Sequence, residues 1–232
     1  MNFLPLETPG ESEFFERGGP PAVPGTYKVA VTVNGQTQMR SVQMEPDPRY
    51  PFDREAARAQ TGAALEARAW VSAVAEALNR SESLKSQIAT VRILLTAEEE
   101  PGKAAPAAYA PVVQQAGALE KALKGWEEKV YNTEEQPDGL DLIHHLELLY
   151  DRVRGLQGAL SSPYNQAPSP LLAEEMNEVR QELDQRLAEF NGLLKNDVAA
   201  FNKMALEHGA NSLFAGEPIA VKTSAASAGT GH

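Results

Sequence analysis

The sequence predicts a mainly α protein: an antiparallel four-helix bundle with two long and two shorter helices, preceded by a β-hairpin. Three observations carry that expectation. Four separate stretches place apolar residues at steps of three and four, the spacing that puts them on one helix face. Proline-rich or polar breaks separate those stretches. Ahead of them, an apolar/polar alternation runs into Asn34-Gly35, a strong short hairpin signal.

Residues 1 to about 24 read as loop, punctuated by Pro5, Pro9, Gly10, Gly18, Gly19, Pro20, Pro21 and Pro24. Tyr27, Val29, Val31 and Val33 then alternate with Lys28, Ala30 and Thr32, the pattern of a half-buried strand. The return strand covers roughly 36–44. Its alternation slips between Met39 and Val42, which predicts a bulge. A lone hairpin is marginal in water, so the stripe Tyr27, Val29, Val31 and Val33 must pack on more strands, a helix or another chain. These four are the candidate interaction residues.

Pro46 and Pro48 stiffen the connector around Asp47 and Arg49. From Asp53, an expected N-cap, a helix continues to about residue 97, with Asn79, Ser81 and Ser83 as weak points in its middle. A second helix is expected over about 108–131, carrying Val112, Ala116, Leu119, Leu123, Trp126 and Val130. A third carries Leu142, Leu146, Leu149, Val153, Leu156 and Leu160. The fourth, over 172–205, has its apolar stripe from Leu172 to Ala205 and Glu, Asp, Arg and Lys between. Short connections favour antiparallel neighbours. The expected organisation is a loop and hairpin over 1–48, a helical bundle over 49–209 and a flexible tail over 210–232. The apolar stripes do not say which chain they face, so a homodimer built from long helix hairpins is also compatible with them.

The 232 residues suffice for one sizeable core or two modest ones. A net charge of -11 argues against a nucleic-acid partner, which needs clustered Lys and Arg, and disfavours an anionic membrane surface. No run of about 18 apolar residues exists to form a membrane span. The N-terminus lacks the basic leading region of a signal peptide, and Pro5, Glu7 and Pro9 interrupt any apolar segment. The chain has no cysteine, which removes disulfides and thiolate chemistry and leaves the redox compartment undecided.

The best metal-like cluster is Asp141, His144 and His145, since Asp141 and His145 are an i,i+4 pair. A ferritin-like site needs Glu-x-x-His on two helices. The chain has none, and no H-E-x-x-H, so the polar helix face is the stronger reading. Glu98-Glu99-Glu100 and Glu174-Glu175 read as solvated charges at helix ends. Trp70 and Trp126 read as packing residues before they read as a ligand platform. Asn79-Arg80-Ser81 matches a glycosylation sequon, and no Gly-rich phosphate loop or G-x-S-x-G occurs. No catalytic residue and no cofactor is expected.

The stretch Pro24-Gly25-Thr26-Tyr27-Lys28-Val29-Ala30-Val31-Thr32-Val33-Asn34-Gly35, then Asp47-Pro48-Arg49, then a long helix, resembles the C-terminal region of bacterial sialidase-like β-propeller proteins, the sortilin-related class with Asp-box repeats. In that class an immunoglobulin-like or fibronectin-like sandwich follows the propeller and a helical region closes the chain. The resemblance implies that 1–48 holds the end of such a sandwich. It also implies a periplasmic or extracellular parent, with the propeller and the earlier sandwich strands as natural partners. No Ser-x-Asp-x-Gly-x-x-Trp repeat occurs here, so no sialidase residue carries over, and Met1 looks like the start of a fragment or of a separately encoded tail. The expected function is a non-catalytic structural or interaction module. The alternatives are a stand-alone helical ligand or metal binder using Asp141, His144 and His145, and, more weakly, a hydrolase of the propeller class.

Overall fold

The computed structural model describes residues 20–96, 106–132, 147–161 and 166–222. They form a mainly helical protein with one two-stranded antiparallel hairpin. Strand β1 (Gly25–Val33) pairs with β2 (Gln36–Met44) from Gly25↔Met44 to Val33↔Gln36 without interruption. Asn34 and Gly35 take φ of 50° and 77°, the positive pair that a two-residue type I′ turn requires. The expected bulge is absent. A bulge would have kept Met39 and Val42 on one face, but both faces are exposed, so nothing demands it.

Helix α1 (Arg54–Thr96) is a single 43-residue helix, about 65 Å long. Asp53 caps it, its Oδ1 accepting from the Glu55 and Ala56 amides at 2.8 and 3.3 Å. It runs unbroken through Asn79, Ser81 and Ser83. Leu78, Leu84 and Ile88 are buried on either side, and that burial outweighs the weak local propensity. A short 3-10 turn over Ala107–Tyr109 leads into α2 (Ala110–Glu127). Helix α3 spans Leu149–Leu160, with Leu148 already extended, so the described part starts later than the apolar spacing suggested. Leu142 and Leu146 lie outside the described residues. Helix α4 (Pro170–Gly192) continues through a π-helical segment, Leu193–Val198, into α5 (Ala199–Glu207). Ser169 caps α4, accepting from the Leu172 amide at 3.2 Å.

The helices pack as three long rods. Lys85 and Arg92 of α1 meet Glu127 and Glu120 of α2, so α2 descends along the second half of α1. Gln60 of α1 donates to the Leu160 carbonyl, so α3 descends along the first half. The Tyr150 amide donates to the Val130 carbonyl at 3.0 Å, which sets α3 end to end with α2. Together they make one interrupted rod of about 45 Å of helix beside α1. The α4–α5 rod runs back in the direction of α1: Arg180 pairs with Glu66, and further along Trp126 donates to the Arg186 carbonyl. The expected alternation of four neighbouring helices is therefore not the arrangement of these contacts, because α2 and α3 run the same way.

The core is one cluster. Trp70, Leu84 and Ile88 of α1 join Leu119 and Leu123 of α2, Leu156 and Leu160 of α3, Leu183 and Phe190 of α4 and Phe201 of α5. The described part of the long stripes is thus buried within a single chain.

Residues 210–222, expected to be flexible, instead return along α5 and α4 as an extended strap. Leu213 and Ile219 are buried in the core. Three amide side chains each grip both backbone groups of one strap residue: Asn202 on Leu213, Gln87 on Phe214 and Asn191 on Ile219. Only residues 223–232 of the expected tail lie outside the described residues.

Candidate interaction site

The hairpin joins the helices at its base. Thr61 of α1 donates to the Pro21 carbonyl at 2.8 Å, and Arg54 donates to the Pro24 carbonyl at 3.1 Å. Tyr27 donates its hydroxyl to the Val23 carbonyl, closing the base locally. On the return side, the Asp47 carboxylate accepts from the Arg49 amide, Nε and a terminal nitrogen, the last at 2.6 Å. Those bonds hold the Asp47 carboxyl below, and the Arg49 guanidinium above, their ordinary ranges. Asp47-Pro48-Arg49 is a fixed corner between sheet and helix.

Beyond the base, no other described element packs on the hairpin. The register places Tyr27, Val29, Val31 and Val33 on one face together with Val42. Exposure rises from 40% at Tyr27 through 44% and 57% to 62% at Val33, so the stripe is progressively uncovered toward the tip. The opposite face is mixed: Thr26 donates to Gln43 and Thr32 is bonded to Thr37, while Ala30 lies opposite the exposed Met39 between them. Between residues 25 and 44 the only charges are Lys28 and Arg40, in a chain that is otherwise strongly acidic. An apolar stripe with two open strand edges is a surface suited to sheet extension or to face packing on another protein.

The remaining candidates resolve differently. Asp141, His144 and His145 lie outside the described residues. Among the described residues no group of three or more His, Asp or Glu is placed to hold a metal. Glu174 and Glu175 are exposed in the first turns of α4. Trp70 is buried under the Arg180 guanidinium, and Trp126 is buried against Phe190 with ring centroids 4.5 Å apart. Both are core residues, not an open platform. Ser81 of the sequon is fully buried in α1. Glu98, Glu99 and Glu100 also lie outside the described residues. Among the described residues, no helix is long and apolar enough to cross a membrane.

Sequence reasoning missed the Lys85–Glu127 pair and the three amide clamps on the strap. Nothing in a periodicity marks either, because each joins residues distant in sequence. Compared with protein-family models, characterised proteins and solved structures, the chain matches none.

Proposed function

We propose that this chain is a non-catalytic interaction module, in which an antiparallel helical bundle presents the β-hairpin to another protein. The observation that carries this reading is the exposed stripe Tyr27, Val29, Val31 and Val33, held out from the helices by a base fixed at Thr61 and Arg54. Valines on a solvated two-stranded sheet contribute little to the chain's own stability, and covering them would recover that apolar burial. The resemblance of the hairpin and its Asp47-Pro48-Arg49 exit to the sialidase-like class supports a specific setting. There the partner is a β-sandwich or propeller domain, and the chain is the accessory tail of an exported propeller protein.

The test is immunoprecipitation of the wild type and of Val31→Asp from the source cells, compared by quantitative mass spectrometry. The expected result is a β-sandwich or propeller partner, or a parent species much larger than the 25.1 kDa chain, with loss of docking in Val31→Asp at unchanged helical signal. Identical partners for both proteins would overturn the reading.

A further inference from the structure

We infer that the outer edge of β1 is a homodimerisation surface: two copies pair antiparallel through β1, about a two-fold axis at Val29, into a four-stranded sheet. This goes beyond the docking face proposed above and stands apart from it, since the edge can pair whether or not the face finds a partner.

The hairpin register fixes which backbone groups are free. Val33 and Gln36 flank a two-residue turn, so the odd residues of β1 exchange hydrogen bonds with β2. With no bulge to break the alternation, the amides and carbonyls of Thr26, Lys28, Ala30 and Thr32 point outward. None is a proline, and no other described element lies along them.

The strand is self-complementary under a two-fold axis. All nine residues pair only when the axis falls on Val29. Thr26 then opposes Thr32 of the second copy, Tyr27 opposes Val31, Lys28 opposes Ala30 and Val29 opposes itself. Apolar residues meet apolar ones on one face, and threonines meet threonines on the other, both favourable cross-strand pairs. The single charge of the strand, Lys28, meets alanine. The edge of β2 fails the same test. Its central residue is Arg40, and full pairing would set Arg40 against Arg40 at the closest approach of the two strands, a like-charge clash. The occupant of the β1 edge is thus a second copy of the chain, and the contact is isologous and closed.

Sedimentation velocity and light scattering on the full chain across a concentration series test this with two variants. Val29→Glu faces Arg40 inside its own hairpin, which supports the fold, but faces another Glu across the axis, which opposes the dimer. Val29→Cys places the chain's only thiols opposite each other in a non-hydrogen-bonded pair, whose β-carbons lie close enough for a disulfide. The expected result is twice the 25.1 kDa chain mass for the wild type, a single chain mass for Val29→Glu, and an oxidised covalent dimer for Val29→Cys but not for Val33→Cys. A wild type that stays monomeric, a Val29→Glu protein that still dimerises, or a dimer in which Val29→Cys remains unlinked would each overturn the proposal.

Discussion

The ammonium group of Lys85 lies 2.7 Å from Oε2 of Glu127, joining the second half of α1 to the last turn of α2. The Glu127 side chain is only 4% exposed, and its other oxygen, Oε1, has no hydrogen-bond partner. Lys85 also reaches Glu82 at 2.5 Å. Removing the cation leaves a buried carboxylate uncompensated, which costs about 3 kcal/mol, whereas replacing both partners with apolar groups is close to neutral. Lys85→Met should therefore lower the urea midpoint strongly, and Lys85→Met/Glu127→Leu should recover most of the loss. If the double variant is no more stable than Lys85→Met, the pair does not have this role.

The same lysine predicts a pH dependence. Burial lowers its affinity for the proton, but the hydrogen bonds it donates to Glu127 and Glu82, and the attraction of those carboxylates, outweigh that, so its folded pKa is raised above the ordinary lysine value. A raised pKa means the folded state holds the proton more tightly. The pair's contribution is complete below the unfolded lysine pKa and is lost as pH rises through the folded one. Urea midpoints across an alkaline series should fall more steeply for the wild type than for Lys85→Met. Parallel curves would contradict the assignment.

What was legible in the sequence follows from what each signal encodes. The hairpin was legible because Asn34-Gly35 states a backbone geometry, and α1 because Asp53 and the apolar stripe state a start and a face. The bulge near Met39 was misread because alternation reports burial, and neither hairpin face is buried. The end-to-end setting of α2 and α3 was hidden because a stripe names the face to bury but not its neighbour. The strap was hidden for a related reason: Leu213 and Ile219 lie in a segment with no period, and what holds it are Asn191, Asn202 and Gln87 on two rods. For the interaction stripe, the four residues could be named from alternation alone, but their open edge and Arg40 opposite Val29 needed the register.

The turn gives a prediction confined to the hairpin. Gly35 sits at φ 77°, where a side chain costs roughly 1–2 kcal/mol. Gly35→Ala should therefore fray a sheet that no other described element packs upon. Amide exchange across β1 and β2 should accelerate while the helical circular dichroism and its thermal midpoint stay near wild type. A matching fall in the helical midpoint would show that the hairpin and helices unfold together.

The strap carries the last prediction. Asn202 donates to the Leu213 carbonyl at 2.9 Å and accepts its amide at 2.6 Å, and Asn191 does the same for Ile219 at 2.8 Å on both sides. Each side chain thereby replaces the neighbouring strand that an extended segment ordinarily needs, and each seats one buried apolar residue in the core. Asn202→Ala removes both bonds and leaves a half-buried amide and carbonyl without partners, a loss of about 1–3 kcal/mol. Asn202→Asp keeps the acceptor but sets a carboxylate oxygen against the Leu213 carbonyl, so it should be no milder than the alanine. The two clamps lie on one continuous strap, so either loss should speed amide exchange at both Leu213 and Ile219. If Asn202→Ala accelerates exchange at Leu213 alone, the strap is held residue by residue, and Asn191 with Ile219 would suffice to keep its far half in place.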